Sequence, residues 1–530
     1  MSTLKSPMAM LRIAGIAIVL FSLLGFAITL GPSRAVRIAG AAAANVLIDG
    51  FAERPVHHRI PVLDLRVDPQ ALDSLQADLP WSGGEAVKAL LVEHGVEHKA
   101  RFRYRGAYTP SHFLGGKKSF RLSLKRGNPW SPYRRLNVIN PKAHNLVNNH
   151  MAAWVAGSMG VPVPMDEMVF VRINDEDIGV MELFEQVDGD FERNRHLGVS
   201  EVPVFKGDYP AITRRELPKG RTLWADAAHW EYASDSDSTE AHGKLMRLVS
   251  ALRKDTASLD AHRDSIAALI DVDTWLRYEA ALLVINSTHI DQYHNQWLVL
   301  NPRTGRFYPV LWDALLMFAP PGEPLYYVND AMTWWTLRIP EWRLKRDQYA
   351  YEAMVRLQRE GDFEQRLDEV TARIRPSVLA DRNKFGNVSM EPEDVHRVSV
   401  LHVIGSIAGL RASCAAHWER TLARMERDSV SVERDTVLRV RAHSEAPIRL
   451  RWKGGSGLLR VDGSEVRAEE DGQGWSIVLH HRLRSLSGKD HPLADKQRLT
   501  TDPLDALVSF GGPIPPSLAI SNAITDEPIQ

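Results

Sequence analysis

The chain reads His-Ile-Asp-Gln-Tyr-His-Asn at residues 289–295 and Leu-Trp-Asp at residues 311–313, and these two stretches decide how its fold is interpreted. Asp291 and Asn295 stand four positions apart, just beyond a segment whose apolar residues have helical spacing. Asp313 follows after a short predicted hairpin. Carboxylate and amide oxygens are ligands that hard divalent cations such as Mg²⁺ accept. The two stretches therefore predict a polar, metal-binding site at the ends of neighbouring elements.

Cations lie upstream of this site, at the ends of predicted strands. The strand from Val96 alternates apolar and basic residues and ends at Arg105-Gly106, and Lys117-Lys118 opens the next strand. Phosphoryl transfer needs cations for the phosphates, a carboxylate for the proton of the acceptor, and a metal ion between them. The sequence therefore predicts phosphate contacts from Arg105 and Lys206 and from the pair Lys117 and Lys118, of which one binds phosphate and the other lies at the surface; the sequence does not distinguish the two. Lys99, Arg101 and Arg103, on the same strand face, are interpreted as solvated.

A predicted hairpin, residues 168–185, ends at Glu185, which is expected to hold a phosphate-binding lysine in place. The stretch at residues 289–295 resembles the catalytic loop of protein kinases. In that resemblance Asp291 is the catalytic residue that orients the acceptor hydroxyl, and Asn295 binds metal. Asp313 then takes the part of the second metal-binding aspartate of kinases.

The pieces occur in the order found in the CotH family of atypical kinases, which the chain resembles from about residue 60 to about residue 425. The matching residues are Arg105-Gly106, Lys117 to Phe120, Asn174 with Gly179-Val180 and Glu185, Lys206-Gly207, Asp291 with His294-Asn295, and Trp312-Asp313. The resemblance implies an atypical kinase fold, ATP with Mg²⁺ or Mn²⁺, and phosphorylation of proteins outside the cytoplasm. It also implies that Trp312 lines the ATP site.

Two positions depart from the family pattern. The family has a second aspartate two places after the Trp-Asp element, where this chain has Leu315, and an aromatic residue after Gly-Val, where it has Met181. Metal binding is the property that these departures affect. A catalytically inactive kinase-like scaffold or binding protein of the cell envelope is therefore the alternative, and a hydrolase that uses Asp291 and Asp313 as paired acids is a third.

The predicted fold class is α+β, with an atypical protein-kinase-like core at residues 60–427 and a small all-β appendage at residues 429–520. Short alternating strands separated by Gly and Asp turns begin near Ser429 and indicate a separate core. Helices are expected from about residue 362 to residue 427, with breaks at Pro376 and Pro392. The last ten residues are expected to be frayed.

The N-terminus carries an uncharged run, Ile13 to Leu30, after Lys5 and Arg12. Its length suits either a signal peptide or a membrane anchor, so residues 1–40 are assigned to one of these two. If the run is not cleaved, residues 13–30 contact the membrane. Either alternative predicts an extracytoplasmic protein that is membrane-anchored or secreted.

The composition excludes some other classes of protein. Lys and Arg number 65 against 66 Asp and Glu, so no overall field draws the chain to nucleic acid. Cys414 is the one cysteine, which rules out an internal disulfide and a cysteine-based metal site. The expected partner is a protein acceptor that the sequence does not identify.

Overall fold

The computed structural model describes residues 57–529, with gaps at 78, 80–84, 107–111, 113–116, 126, 142–143, 197–200, 210–221, 236–237, 254–257, 318–324, 387–395, 428, 471, 473, 487–490 and 494–496. The run Ile13 to Leu30 lies outside the described residues. Among the described helices, none has both the length and the apolar character that crossing a bilayer requires.

The N-terminal part is a closed β-barrel in the order β1-β2-β3-β4-β5-β7-β6. Its strands are β1 Val62–Val67, β2 Val87–Glu93, β3 Val96–Tyr104, β4 Phe120–Leu124, β5 Arg135–Ile139, β6 Asp166–Ile173 and β7 Glu176–Glu185. Helix α1, Pro69–Ala77, follows β1. The alternation predicted for β3 is confirmed, because Ala100, Phe102 and Tyr104 are buried in the barrel core. The basic residues of β3 consequently face outward.

A second sheet, in the order β11-β10-β8-β9, lies next in the chain. Its strands are β8 Val204–Gly207, β9 Glu231–Tyr232, β10 Gln296–Leu300 and β11 Phe307–Pro309. Helix α2, Asn148–Ser158, packs on β6 and on α5, and the helices that follow β9 are α3 Thr239–Arg253, α4 Leu259–Ala267 and α5 Val272–Ile285. Asn286 ends α5 in the left-handed conformation, with φ of 50°. This turn sends the chain into residues 289–295 directly in front of β10.

The helical part begins with the short strand β12, Tyr326–Val328. It continues with α6 Ala331–Arg338, α7 Pro340–Met354, a π-helical turn at Val355–Arg359, α8 Asp362–Ala380, β13 Phe385–Gly386, β14 His396–Arg397 and α9 Val400–Glu426. The break expected at Pro376 is wrong, since α8 runs through it. Val370, Ile374 and Val378 of α8 are buried in the core, and this packing outweighs the one backbone bond that proline removes. Pro392 lies outside the described residues.

The C-terminal region is all β, as predicted. Its strands are β15 Val430–Arg434, β16 Leu438–Ala442, β17 Ile448–Trp452, β18 Leu458–Val461, β19 Ser464–Arg467, β20 Glu469–Glu470, β21 Trp475–Leu479, β22 Leu483–Ser485, β23 Gln497–Thr501, β24 Leu504–Ser509 and β25 Ala519–Asn522. Two sheets, β15-β16-β24-β18-β19 and β20-β21-β17-β25, enclose a core that includes Leu450 and Trp452. The overall fold is thus mixed α and β with a C-terminal β region.

This β region also contributes to the main helical core. Ala446, Leu483, Leu499 and Ile524 pack in the same cluster as residues of α5, α7 and α9. The expectation of a frayed end is wrong for the described residues up to 529, because β25 pairs with β17 and Ile524 is buried. A cut at residue 427 would therefore remove part of the main core.

Candidate functional site

A cleft of about 360 Å³ opens between the barrel and the second sheet. Each side contributes charged and aromatic side chains. The barrel and the segment that follows β7 provide Arg103, Arg105, Arg121, Arg135, Gln186 and Asp188, and the other side provides Lys206, Asp208, Glu231, Asp235, Trp297 and Trp312. Of the cations that the sequence marks at strand ends, Arg105 and Lys206 meet here, although they lie far apart in the chain.

The carboxylates of the cleft are used by two of its cations. Arg135 Nε lies 2.9 Å from Asp188 Oδ2, and its Nη2 lies 2.8 Å from Asp235 Oδ2. Lys206 Nζ lies 3.2 Å from Asp208 Oδ2 and 3.7 Å from Glu231 Oε2. These pairs neutralise Arg135 on the barrel side of the cleft and Lys206 on the opposite side.

The barrel wall also carries an arginine trio, Arg103, Arg105 and Arg121, with no carboxylate at ion-pairing distance among the described residues. Arg103 and Arg121 are direct cross-strand partners on β3 and β4. Like charges placed opposite each other destabilise a sheet. The Arg121 guanidinium donates to neutral acceptors, Asn137 Oδ1 at 3.0 Å and Gln186 Oε1 at 2.6 Å. A wall built this way suits an anionic ligand.

The electrostatics of the arginine trio agree with its geometry. Burial lowers the pKa of Arg121 to about 9, and the neighbouring Arg105 and Arg103 lower it further. Burial also lowers the pKa of Arg105 to about 10, although Asp313 and then Asp208 oppose that shift. A lowered arginine pKa means that the cationic form is unfavourable in this environment without a counter-charge. A bound phosphate group would supply that charge.

Two tryptophans form the floor of the cleft. The rings of Trp297 and Trp312 lie 5.2 Å apart, and Trp312 packs edge-on against Phe184 at 4.8 Å. The Arg105 guanidinium carbon lies 5.9 Å from the Trp312 ring centre, and Lys206 Nζ lies 6.0 Å from that of Trp297. Cation–π contacts of this kind hold both cations toward the cleft. Trp312 thus lines the cleft together with Arg105 and Lys206.

The loop at residues 289–295 presents a fixed carboxylate. Asp291 Oδ1 accepts a hydrogen bond from Tyr293 N at 2.8 Å and lies 2.8 Å from His294 Nδ1. The residue is buried, with 4% of its surface exposed. Its backbone oxygen accepts from Gln296 Nε2 at 2.7 Å. Asp291 is consequently held through both its side chain and its backbone.

Asn295 and Asp313 meet around the ring of His289. His289 Nδ1 lies 2.8 Å from Asn295 Nδ2, 2.8 Å from the backbone oxygen of Asp313 and 3.9 Å from Asp313 Oδ2. Both residues have left-handed backbones, with φ of 61° for Asn295 and 51° for Asp313. Residues other than glycine adopt the left-handed backbone conformation at an energetic cost, and residues in this conformation cluster at functional sites.

The two residues fit a divalent cation by the chemistry of their donor atoms. The Asn295 amide nitrogen points to His289, which leaves the amide oxygen as the atom able to bind a metal. The Asp313 carboxylate supplies a second oxygen ligand, and Mg²⁺ commonly takes one or two protein carboxylates together with phosphate and water. Because Asp313 also acts on the pKa of Arg105, it connects this loop with the arginine trio.

Lys117 is placed differently from the sequence expectation of a phosphate contact. Its side chain is 1% exposed, and its Nζ lies 2.5 Å from Asp381 Oδ2 and 3.0 Å from the backbone oxygen of Val180. Burial lowers its pKa, which Asp381 opposes. Asp381 also accepts from Val180 N at 2.9 Å and packs where a Cβ on Gly179 would stand. The Lys117 and Gly179-Val180 motifs thus build one buried ion pair away from the cleft.

Lys118 and Glu185 also lie outside the residues that line the cleft. Lys118 is half-buried, and burial lowers its pKa while Glu176 opposes the shift. The expectation that Glu185 holds a lysine is wrong, because its carboxylate lies 2.6 and 3.1 Å from the guanidinium of Arg195. Asn194 Nδ2 and the backbone nitrogen of Met165 donate to the same carboxylate. Glu185 therefore fastens the segment after β7 to the barrel.

A comparison with protein families matches the model described as "CotH kinase protein" to residues 102–404, which is more than half of the chain. The chain belongs to the CotH family. A relative is the inner spore coat protein H of Bacillus subtilis (strain 168), which is 22% identical over 255 residues. The aligned part covers 48% of this chain and 68% of that protein. The CotH match includes all the cleft residues named above and ends inside α9, before the C-terminal β region.

Within the CotH match, sequence reasoning missed three arginines that line the cleft and also Asp381, the ion-pair partner of Lys117. Arg121 and Arg135 could have been found by the alternation of β4 and β5, since both follow the basic strand with outward-facing positions. Arg103 was interpreted as solvated because one strand alone does not show what its outer face meets. Asp381 carries no sequence signal at all, as 264 positions separate it from Lys117.

Leu315 stands where the CotH family has its second aspartate, and its side chain is buried beside Asp313. Leu315, Asp313 and Glu182 line the same small cavity of about 10 Å³. Glu182 is 2% exposed and accepts from Asn149 Nδ2 at 2.8 Å. A carboxylate from β7 therefore stands near the position where the family has its second aspartate.

Proposed function

We propose that this protein is a metal-dependent phosphotransferase that moves the γ-phosphate of ATP to a hydroxyl group of a protein. The observation that carries the proposal is the arginine trio, which lines a cleft without carboxylate partners among the described residues. Asp313 lies close enough to act on Arg105. Membership of the CotH family supports the same chemistry. The proposal includes a kinase-like arrangement of the barrel and of the helical part around this cleft.

The residues divide the work as follows. Arg105, with Arg103 and Arg121, binds the phosphates, and Lys206 and Trp312 complete the ATP cleft from the other side. The Asp291 carboxylate orients the acceptor hydroxyl and takes its proton, while Tyr293 N and His294 keep Oδ1 in position. Asn295 and Asp313 hold Mg²⁺ or Mn²⁺. The metal ion would neutralise charge on the phosphate oxygens.

The site of action proposed is outside the cytoplasm, with a protein as the acceptor. The uncharged run Ile13 to Leu30 supports this location, because its length suits a signal peptide or an anchor. The relative in Bacillus subtilis carries the name of a spore coat protein, which is consistent with a coat-associated or extracellular place. The acceptor hydroxyl would then belong to a secreted or cell-surface protein.

A specific observation favours a second candidate, an inactive kinase-like scaffold of the cell envelope. Leu315 occupies the position of the family's second aspartate, and its side chain offers no ligand to a hard cation. A scaffold of this kind could keep the cleft and its anion without transferring phosphate. The two candidates differ in metal-dependent binding and in turnover.

The experiment is nucleotide binding to the full chain by calorimetry, with ATP in excess Mg²⁺ and in EDTA. The wild type should bind more tightly with Mg²⁺, and Arg105→Gln should weaken binding by roughly tenfold or more, because it loses a charge-assisted phosphate contact. Arg101→Gln is the matched control, since Arg101 lies on the same strand face but is exposed and outside the cleft. It should bind as wild type.

Three results would separate the alternatives. Binding that ignores both Mg²⁺ and Arg105 contradicts the proposal. Metal-dependent binding without phosphate transfer to any protein supports the scaffold. Hydrolysis of a substrate that persists in Arg105→Gln supports the paired-acid hydrolase, which needs no cationic wall.

A further inference from the structure

The C-terminal β region reaches into the helical part through a hairpin, β22–β23. Strand β23 pairs antiparallel with β12, so that Tyr326 faces Leu499 and Val328 faces Gln497. The three strands form a sheet in the order β12-β23-β22. Strand β12 lies within the CotH match, whereas β22 and β23 lie beyond it. This sheet therefore joins the family domain to a part of the chain that the family model does not describe.

Side chains fix the same junction. The Tyr326 hydroxyl lies 3.1 Å from Asp347 Oδ2 and 3.4 Å from the backbone oxygen of Glu445. Arg343, which is 3% exposed, donates to the backbone oxygen of His481 at 2.7 Å. Arg338 donates to the backbone oxygen of Leu483 at 2.6 Å. The bonds from Arg338 and from the buried Arg343 to carbonyls of another region hold the two regions in one arrangement, because separation would leave those carbonyls unpaired.

A series of hydrogen bonds connects the end of β12 with the loop that carries Asp291. Two residues beyond the strand, Asp330 caps α6 and accepts from Thr333 N at 2.8 Å. Asp330 Oδ2 accepts from Gln296 Nε2 at 2.8 Å, and the same nitrogen donates to the backbone oxygen of Asp291 at 2.7 Å. One amide group thus links the cap of α6 to the backbone of Asp291.

This link has little freedom. Gln296 and Asp330 are each 4% exposed, so water cannot easily replace either partner. Gln296 stands at the start of β10, whose pairing with β8 fixes its backbone. The position of Asp330 depends on β12, which lies two residues before it. Strand β12 is an edge strand of its sheet, and β23 is the strand that it pairs with. A displacement of the β22–β23 hairpin would therefore shift the backbone of Asp291.

We propose that the C-terminal β region is a positioning element for Asp291, acting through β12, Asp330 and Gln296. In this role the region is part of the machinery of the family domain and not an independent appendage. Gln296 and Asp330 are positioning residues, since they act on Asp291 and not on a ligand. The inference rests on the proposed function only where Asp291 is called catalytic.

The first test is hydrogen exchange of the full chain, which needs no enzymatic activity. Leu499→Ala removes a buried side chain of β23 that packs in the main core. Amides of residues 291–296 should exchange faster than in the wild type. Leu450→Ala is the matched control, because Leu450 is equally buried but belongs to the separate core of the β region. It should leave residues 291–296 unchanged.

Two outcomes overturn the inference. The first is wild-type exchange at residues 291–296 in Leu499→Ala, and the second is equal acceleration in both variants, which would show general loosening. If Leu499→Ala does not fold, Arg343→Met replaces it, because it removes the bond to the His481 backbone oxygen while keeping most of the side-chain volume. The same readings then apply.

The second test uses phosphate transfer. Gln296→Met should lower kcat by roughly tenfold to a hundredfold, the scale expected when a reacting group is misplaced. The Kd for ATP should stay unchanged, because Gln296 lies outside the cleft. Combined with Leu499→Ala, its effect on kcat should be less than additive, since both changes act on one chain of contacts.

Full additivity contradicts the relay from the hairpin to Gln296. If the wild type transfers no phosphate, the proposed function fails, and hydrogen exchange alone then decides this inference.

Discussion

Replacing Arg121 with glutamine should stabilise the ligand-free protein and weaken its binding of ATP. The pKa of Arg121 falls from its ordinary 12.5 to about 9, and at 1.36 kcal/mol for each tenfold change this corresponds to about 5 kcal/mol of unfavourable interaction. The variant loses hydrogen bonds of the guanidinium to Asn137 and Gln186, each worth about 1.5 to 3 kcal/mol. Glutamine can still donate one bond. With that bond worth about 1 kcal/mol, the balance is a stabilisation of about 0 to 3 kcal/mol.

The effect on binding has the opposite sign. Truncating one partner of a buried, hydrogen-bonded charge pair costs about 2 kcal/mol or more, which is roughly a 30-fold rise in Kd. Such an exchange of stability for function is common at active sites. The assay is thermal unfolding with and without ATP and Mg²⁺, together with calorimetric binding. Arg101→Gln serves as the control and should change neither quantity.

The reasoning is refuted by either of two results for Arg121→Gln. A lower Tm without ligand would show that the hydrogen bonds of Arg121 outweigh the cost of its burial and of its like-charged neighbours. An unchanged Kd for ATP would show that the trio does not bind phosphate.

Three further predictions follow from the same contacts. Asp313→Ala should abolish the metal dependence of ATP binding, measured with Mg²⁺ and in EDTA, and retained dependence would exclude Asp313 as a ligand. Burial, with Asp330 adding to it, raises the pKa of Glu279 to about 8, so the folded state keeps a proton that the unfolded state releases above its ordinary value of 4.5. The stability that this group contributes is fully present below about pH 4.5 and is lost as the pH rises through about 8. Glu279→Gln should therefore flatten the dependence of Tm on pH between about pH 5 and 9. A pH dependence of Tm identical to that of the wild type would contradict this prediction. A chain ending at residue 427 should lose its cooperative unfolding transition, because it lacks Leu483 and Leu499 of the main core, each worth about 2 to 5 kcal/mol; a wild-type Tm would contradict the shared core.

The parts of the fold that could be predicted from the sequence are those set by neighbouring residues. The alternation of Ala100, Phe102 and Tyr104 with basic residues predicts β3 and the direction of its two faces. The polar turn after Ile173 predicts the β6–β7 hairpin, with Asn174 and Asp175 in the left-handed conformation. The helix before the loop at residues 289–295 follows from its apolar spacing. In each of these cases the period of the side chains and the turn chemistry are local.

The parts that could not be predicted depend on distant contacts. Lys117 meets Asp381 across 264 positions, and no local pattern distinguishes a lysine that binds phosphate from one that is buried in an ion pair. Glu185 forms an ion pair with Arg195 because the segment after β7 folds back on the barrel. The pairing of β12 with β23 depends on the last third of the chain packing on the helices. Pro376 shows that tertiary packing can outweigh local propensity.

The candidate site lies between these two cases. The chemistry of Asp291, Asn295 and Asp313 is implied by the resemblance of their pattern to the kinase catalytic loop, and the structure brings Asn295 and Asp313 to one histidine. The arginine trio could be predicted only in part, because Arg103 and Arg121 become neighbours through the register of two strands. Repulsion between them is visible once that register is known.

The proposed reaction is phosphate transfer to a hydroxyl group on which Asp291 acts. The most direct measurement is incorporation of label from γ-labelled ATP into protein by the full chain with Mg²⁺ or Mn²⁺, compared with Asp291→Asn, together with the ATP affinity of both. We predict label incorporation by the wild type, its loss in Asp291→Asn, and a nearly unchanged Kd for ATP. Metal-dependent ATP binding without any incorporation by the wild type would contradict the claim, and so would equal incorporation by the two proteins.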